Sequence, residues 1–573
     1  MSPASSKRWI LPELDLSAHK KLISDLGIRP STAAILIHRG IRSADAARLF
    51  LEPTSADLID PFRLKGMDRA VDRIRRAIQT REEVVVYGDY DVDGVTATAL
   101  YLDYFKSQGL QAGFYIPQRM TEGYGLNPNA IRTLRERGVT LLITADCGTS
   151  SVDEIRLARS LGMDVIVTDH HEAPEELPPA TALLNPKLPD SGYPEQGLCT
   201  AGLTWKVIQA LSGTPPSEGL DLVALGTVAD VSPLTGENRY LVREGLRQLT
   251  EGTRPGVRAL KEAAGLRDKN VGTGTIGFTL APRINAAGRL SDAGQGVRLM
   301  TTQDPEEARR IALALNLQNQ ERQRVEEGIV EEALRMAEAE FDPVRDGGIV
   351  LASRNWHPGV IGIVAARLVE RYYRPVILLA IDADGVARGS ARSISGFHLV
   401  EGLKTCADLL IRYGGHRAAA GLMLREEKIP ALRERFSAVI FESLDAEDFR
   451  PRQMIDAAVR WSDLDLQLVT ELGRLAPFGP ANPEPSLLLM ETVAVGPRIV
   501  GENHLKFAVG RTDGGGGPLL DVIGFRMADR MTDFRAGSRL DLVFTPERNV
   551  WQGREQLQLR LKDLRTNIPP ATA

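Results

Sequence analysis

Val84-Val85-Val86-Tyr87-Gly88-Asp89-Tyr90-Asp91-Val92-Asp93-Gly94 is an apolar run that ends in three carboxylates at alternate positions. A short β-rich run bounded by glycine reads as a buried strand, which places Asp89, Asp91 and Asp93 just past its carboxyl end. Three like charges this close repel one another unless a cation lies among them. Carboxylate oxygens are the ligands that Mg²⁺ and Mn²⁺ favour. On its own the run fits equally well an acidic turn closing a strand, a common use of Asp and Gly.

The pattern recurs, and the recurrence decides the reading. Leu141-Leu-Ile-Thr-Ala145 leads into Asp146-Cys147-Gly148, and Asp164-Val-Ile-Val-Thr168 leads into Asp169-His170-His171. Residues 95–108 and 151–161 between them read as helices. A β-α-β order builds a parallel sheet whose strands end on one side, where ligands bind in open α/β folds. Three acid-bearing ends therefore converge, and His170 and His171 beside them favour a metal centre over a lone hydrogen-bonded histidine.

Gly88-Asp-Tyr-Asp-Val-Asp-Gly94, Thr144-Ala-Asp-Cys-Gly148, Asp169-His-His171 and Gly226-Thr-Val-Ala-Asp230, in this order, resemble the motifs of the DHH phosphoesterase superfamily, and within it those of the RecJ single-stranded-DNA exonucleases. The resemblance implies a two-metal site holding Mn²⁺ or Mg²⁺, with Asp91, Asp93, Asp146, His170 and Asp230 as ligands. Asp89 is implied as a further ligand or a supporting partner, and His171 as an assistant to the chemistry. Some DHH enzymes carry a His ligand at the position of Tyr87, so the first ion's coordination departs from that pattern here.

At 573 residues the chain exceeds one hydrophobic core, and 43% hydrophobic composition suffices for several. No uninterrupted apolar stretch of about 18 residues suggests a membrane span. The start, Met1-Ser-Pro-Ala-Ser-Ser-Lys-Arg8, leads into no apolar signal region. Cys147, Cys199 and Cys406 match no zinc or redox spacing and suit a reducing cytoplasm. A net charge of -5 disfavours indiscriminate coating of nucleic acid but permits a local basic channel. No Walker A pattern occurs. Gly272-Thr-Gly-Thr-Ile-Gly277 has dinucleotide-fingerprint spacing, yet Pro282 interrupts the helix that should follow, so it reads as a glycine-rich loop.

Before the first motif, residues 31–38 and 44–50 read as short helices. The stretch from Asp60 to Ile78 reads as a cap and an amphipathic helix with a solvated basic face. After it, Tyr115-Ile-Pro-Gln-Arg119-Met-Thr-Glu-Gly-Tyr124 is a loop. The resemblance places Arg119 on a 5′-terminal phosphate and Tyr124 against a terminal base. Asp230 lies in an apolar segment, so a metal or basic partner is expected for it. Ala281-Pro-Arg-Ile-Asn-Ala-Ala-Gly-Arg-Leu290 sets Arg283 and Arg289 among small residues that permit close backbone approach; they either hold phosphates or brace acids.

A long helix over 304–340 is capped by Asp304 and Pro305 and stopped by Phe341-Asp-Pro343. At that length it is a connector. Beyond it, Gly348-Ile-Val-Leu-Ala352, Arg388-Gly-Ser390-Ala-Arg392 and Gly414-Gly-His416 resemble the DHH-associated domain. That likeness implies that His416 contacts a phosphate near the reacting centre and that Ser390 and Arg392 join Arg119 on the 5′ phosphate. From about residue 455, strand-like segments at 505–511, 519–527, 540–546 and 556–564 fit a five-stranded oligonucleotide-binding (OB) barrel, with a hairpin tip at 514–517 and Phe507, Phe525 or Trp551 as stacking platforms.

The expected architecture is α/β. It comprises a helical region (1–80), a parallel-sheet DHH domain (81–300), a connecting helix (301–342), a smaller α/β DHH-associated domain (343–452) and an OB-type barrel (453–573). The expected activity is metal-dependent 5′-to-3′ degradation of single-stranded DNA to 5′-mononucleotides in repair and recombination. The resemblance adds a monomeric, cytoplasmic enzyme with single-stranded-DNA-binding protein and a helicase as partners. Two alternatives stand: a DHH phosphatase of short oligonucleotides or pyrophosphate, and a non-catalytic single-stranded-DNA-binding scaffold.

Overall fold

The acid-bearing runs are all strands. The computed structural model describes residues 7–118, 122–123, 125–290, 292–512 and 518–566. After an entry strand, β1 (Arg8–Ile10), the chain builds a parallel sheet from β2 (Val84–Gly88), β3 (Gly113–Tyr115), β4 (Leu141–Ala145), β5 (Asp164–Thr168) and β6 (Ala182–Leu184), in the order β3-β2-β4-β5-β6. Both faces are covered, which is why these strands are apolar throughout. Val84, Val86 and Ile143 enter a core with the helices Val92–Ser107 and Thr200–Ser212. Val85, Tyr87 and Leu142 enter a second core with Pro128–Glu136 and Val152–Ser160. The chain steps outward from β2 to β3 and then returns to β4 on the other side. Strand order therefore reverses between β2 and β4, where open sheets form their ligand crevice.

The helix Pro305–Glu340 has 36 residues, so it spans roughly 54 Å. Its first half buries Ala308, Ile311, Ala312 and Leu315 in the first domain's core. Its second half buries Ile329, Ala333 and Ala337 against the second lobe. That lobe is a mixed sheet of β7 (Ile349–Ser353), β8 (Val376–Ile381), β9 (Val386–Arg392), β10 (Leu410–Gly415) and β11 (Ala419–Arg425), ordered β10-β11-β9-β8-β7.

The remainder contains β12 (Arg452–Met454), β13 (Ala457–Ala458), β14 (Leu487–Val500), β15 (His504–Arg511), β16 (Leu520–Gly524), β17 (Arg539–Trp551) and β18 (Arg554–Thr566). Strands β14 to β18 run β14-β15-β16-β18-β17, and β17 pairs back onto β14, closing a five-stranded OB-like barrel. The sequence reading lacked β14, because Gly496-Pro497 breaks its pattern. The structure absorbs that pair in a register shift between Val495 and Arg498.

Two further expectations change. Residues 1–80 do not form one unit. The helices Leu16–Leu26, Pro30–His38 and Ala44–Leu51 bury Leu22, Ile35 and Phe50 in the barrel core, and β1 pairs in parallel with β12. Met67–Thr80, with Leu58, Ile59 and Leu64 before it, packs on the first domain's core, and Arg239 of that domain reaches Phe50. The stretch from Thr273 to Leu290 is helical rather than a glycine-rich loop. A π-turn at Ile276–Leu280 precedes Pro282, which has no N–H to give an ordinary helical turn. The tip at 514–517 lies outside the described residues.

Candidate metal centre

Asp91 caps the helix Val92–Ser107: its Oδ1 accepts the N–H groups of Asp93 (2.9 Å) and Gly94 (3.1 Å). That fixes the turn after β2. Asp93 is fully buried on the first turn of this helix, facing the start of another. Its Oδ2 accepts the Thr200 N–H at 2.7 Å and its Oδ1 the Ala201 N–H at 2.8 Å. The Thr200 hydroxyl donates to Asp146 Oδ1 at 3.0 Å. Asp146 follows β4 in the left-handed region (φ 72°), a conformation Asp tolerates. Asp230 ends the helix Leu220–Ala229, where Ser232 Oγ donates to its Oδ2 at 2.7 Å.

His170 Nε2 lies 3.2 Å from Asp146 Oδ1 and 3.8 Å from both Asp93 Oδ2 and Asp230 Oδ1. This nitrogen is buried and makes no hydrogen bond among the described residues. Asp169 joins none of the donor sets among the described residues. Its carboxylate accepts the N–H groups of Thr149, His170 and His171, and it holds His171 Nδ1 at 2.7 Å. Burial lowers the His171 pKa, but the hydrogen bond and charge of Asp169 outweigh it and push it up to about 9.

Donor atoms within 4.8 Å of one another form two sets with no member in common, Asp89/Asp91/Asp146 and Asp93/His170/Asp230, and a third, Asp146/His170/His171, overlaps both. Burial and then mutual repulsion push Asp146 well above the usual carboxylate range, and burial raises Asp93 too, with Asp91 adding to the rise. Burial and Asp93 push Asp230 up to about 6. A cluster that keeps protons for lack of positive charge, around a bare imidazole nitrogen, fits divalent cations. Tyr87 is no ligand: its side chain lies on the other face of the sheet, where its hydroxyl donates to the Gly125 carbonyl.

Backbone proximity explains the glycines. A Cβ on Gly226 would lie 2.7 Å from Asp93 Oδ1, and one on Gly288 would lie 2.6 Å from the Tyr90 carbonyl. The small residues before Arg289 thus let their helix approach the acidic turn, and Asn285 Oδ1 accepts the Val92 N–H at 3.2 Å.

Across the cleft, His416 lines the same cavity as His170, His171, Asp230 and Lys187. Burial, then the charges of His171 and Lys187, lower its pKa. Arg392 Nη1 donates to Ser390 Oγ at 3.2 Å, and both side chains sit against Gly362 in the first turn of the helix Ile361–Tyr372. Arg289 Nη1 donates to the Gly359 carbonyl at 2.7 Å, joining the two lobes beside that turn. Arg283 does not join the centre. Its Nε donates to Asn316 Oδ1 of the long helix and its Nη1 to the Thr279 carbonyl, so it braces helices. Arg119 and Tyr124 lie outside the described residues. Phe507 is packed in the barrel, 5.0 Å from Phe534, and cannot stack a base. The sequence reading missed Thr200 and Ala201, whose part rests on contacts 107 and 108 residues away.

Residues 83–227 match the DHH family, N-terminal domain, residues 346–442 the DHHA1 domain and residues 455–563 the RecJ OB domain. The chain is 41% identical to the single-stranded-DNA-specific exonuclease RecJ of Bacillus subtilis (strain 168), over 98% of this chain and 71% of that protein. It is 35% identical to the RecJ of Escherichia coli (strain K12), over 93% and 96%. The crystal structure of RecJ from Thermus thermophilus in complex with Mn²⁺ matches with a TM-score of 0.83 at 32% identity, covering 98% of this chain and 80% of that one. A crystal structure of exonuclease RecJ bound to manganese matches with a TM-score of 0.58 at 37% identity, over 67% and 96%.

Proposed function

The chain belongs to the RecJ family of single-stranded-DNA-specific exonucleases, and on that premise we propose that it removes 5′-mononucleotides from the 5′ end of single-stranded DNA with two Mn²⁺ or Mg²⁺ ions. The carrying observation is the pair of separate donor sets, Asp89/Asp91/Asp146 and Asp93/His170/Asp230, at the reversal point of the sheet.

Bound there, divalent ions supply Lewis acidity and an activated water for phosphodiester hydrolysis. The chain's own groups do the rest. The amides of Thr200 and Ala201 and the Thr200 hydroxyl hold Asp93 and Asp146 in place. Asp169 fixes His171 through Nδ1, and His171 lines the cavity as a group that can give a proton to the departing 3′ oxygen. His416 reaches the same cavity from the second lobe and hydrogen-bonds a phosphate oxygen. Ser390 and Arg392, at a helix amino terminus, with Arg289 beside them, hold the 5′ phosphate. No helix among the described residues is long and apolar enough to cross a membrane. We place the enzyme in the cytoplasm, where single-stranded-DNA-binding protein and a helicase would supply its substrate.

The test compares 5′-labelled and 3′-labelled single strands and their duplex with Mn²⁺ or Mg²⁺, for the wild type and Asp93→Ala. Immediate release of the 5′ label as mononucleotide, with the duplex spared and the variant inactive though folded, is expected. Hydrolysis confined to dinucleotides or pyrophosphate would overturn the polymer reading, and binding without any hydrolysis would leave a scaffold.

A further inference from the structure

The helix Leu220–Ala229 ends on a turn that its sequence does not suit. Asp230 is its cap; the Ser232 N–H donates to the Thr227 carbonyl at 3.1 Å and the Val231 N–H to the Val228 carbonyl at 3.3 Å. That pattern asks for a left-handed residue just after the cap, a place usually filled by glycine. Here it is Val231, at φ 61°. A β-branched side chain crowds its own backbone in that region, and at 67% exposure Val231 gains little packing in return. A strained turn persists only where its surroundings hold it. This one lies directly behind Asp230, so whatever holds it also aims that carboxylate.

Asn238 is the group that holds it. The residue is fully buried near the start of the helix Gly236–Glu251. Its Nδ2 donates to the Gly197 carbonyl at 2.7 Å and to the Pro233 carbonyl at 2.9 Å, which uses both hydrogens of the amide. Turning the amide over would set Oδ1 against two carbonyls, so its orientation is fixed. Pro233 closes the turn after Asp230. Gly197 precedes Thr200 and Ala201, whose amides hold Asp93. The two loops are in contact, since a Cβ on Gly197 would lie 2.5 Å from Cγ of Pro233. Asn238 itself stands on a firm support: the neighbouring Glu237, also buried, accepts the Ile59 N–H at 2.7 Å and Lys206 Nζ at 2.8 Å. Beyond the turn, the Leu234 N–H donates to the Pro480 carbonyl at 2.9 Å, so the segment that follows is tied down independently.

We propose that Asn238 is a positioning residue of the metal centre: its amide clamps the loop at Gly197 to the loop at Pro233 and so holds Asp230 at its spacing from Asp93 and His170, against the strain at Val231. This rests on the two-metal reading above. Only an asparagine meets the need at this distance. Aspartate has no hydrogens to give, and leucine, of similar shape, leaves both carbonyls bare.

The test titrates the full chain with Mn²⁺ by calorimetry, without DNA, for the wild type, Asn238→Leu, Val231→Gly and the double variant. We expect Asn238→Leu to weaken Mn²⁺ binding about ten-fold. Val231→Gly should bind as the wild type does, and the double variant should regain most of the loss, because glycine keeps the left-handed turn without a clamp. In an Asp230→Asn background, Asn238→Leu should weaken binding no further. Excess Mn²⁺ should restore hydrolysis of the dinucleotide pTpT by Asn238→Leu. If the leucine variant does not fold, Asn238→Ser, which keeps one donor, takes its place with an expected loss of about three-fold. Unchanged binding, a loss that Val231→Gly does not repair, or an equal loss in the Asp230→Asn background would overturn the proposal. A wild type that binds no Mn²⁺ would instead overturn the metal reading on which the proposal rests.

Discussion

Thr200 shows how much of the centre depends on groups that never meet the substrate. Its amide and hydroxyl hold carboxylates of two different strand ends, Asp93 and Asp146. Thr200→Val keeps the amide and the shape and deletes the hydroxyl. Partners that orient metal ligands typically contribute 10–100-fold to affinity. We therefore expect Mn²⁺ binding to weaken about ten-fold, read by calorimetry, with the thermal midpoint nearly unchanged. Gly226 is a stricter case. A methyl there would lie 2.7 Å from Asp93 Oδ1, Thr96 Oγ1 and the Ala201 Cβ, so no single side chain can yield. Gly226→Ala should both lower the melting temperature and abolish Mn²⁺ binding, whereas Gly277→Ala, with open space around it, should do neither.

Among the elements, β18 carries a group whose burial sets a pH dependence. Lys562 is half-buried beneath the strand's partners, and burial lowers its pKa to about 8 against the opposing pull of Glu484. The folded value lies below the unfolded one of about 10.4. The folded barrel therefore binds fewer protons in this range, and stability rises as pH rises from about 8 to 10.4. Lys562→Met should flatten that rise in the urea midpoint followed against pH, and an unchanged slope would show that another group sets it. The same scale explains the π-turn before Pro282. The proline removes a donor, the turn widens, and Phe278 is carried outward while Ile276 and Leu280 stay buried.

At the scale of the molecule, the amino-terminal helices, the first domain and the link to the barrel meet at Arg239. Its buried guanidinium donates to the carbonyls of Phe50, Leu475 and Ala476 and lies 3.6 Å from the centroid of the Phe50 ring. Three segments far apart in sequence thus converge on one planar fork. Arg239→Lys keeps the charge but cannot satisfy three carbonyls in that geometry. It should cost about 2 kcal/mol in chemical denaturation, with pTpT hydrolysis retained because the metal centre lies elsewhere. On the opposite side, Arg289 and the long helix tie the second lobe to the first, so the distance from the ions to Ser390 and Arg392 is set by rigid elements.

The sequence by itself determined the parallel sheet and the places of most of the candidate metal donors, because both are local facts. An apolar run of strand length followed at once by acids can be read within ten residues, and Asp89, Asp91, Asp93, Asp146 and His170 all follow such runs. It also determined the connector helix, whose cap, first-turn proline and stop are neighbours in the chain. Only the tertiary structure decided which residues meet across long separations. The amides of Thr200 and Ala201 on Asp93, the docking of the first helices on the barrel rather than on the sheet, and the different fates of Arg283 and Arg289 depend on where the chain returns. Arg283 and Arg289 share a helix and a composition, but one faces the long helix and the other the cleft. Phe278 shows the same limit: an apolar letter in a helical stretch means core until packing leaves it uncovered, and burial belongs to the folded arrangement, not to the residue.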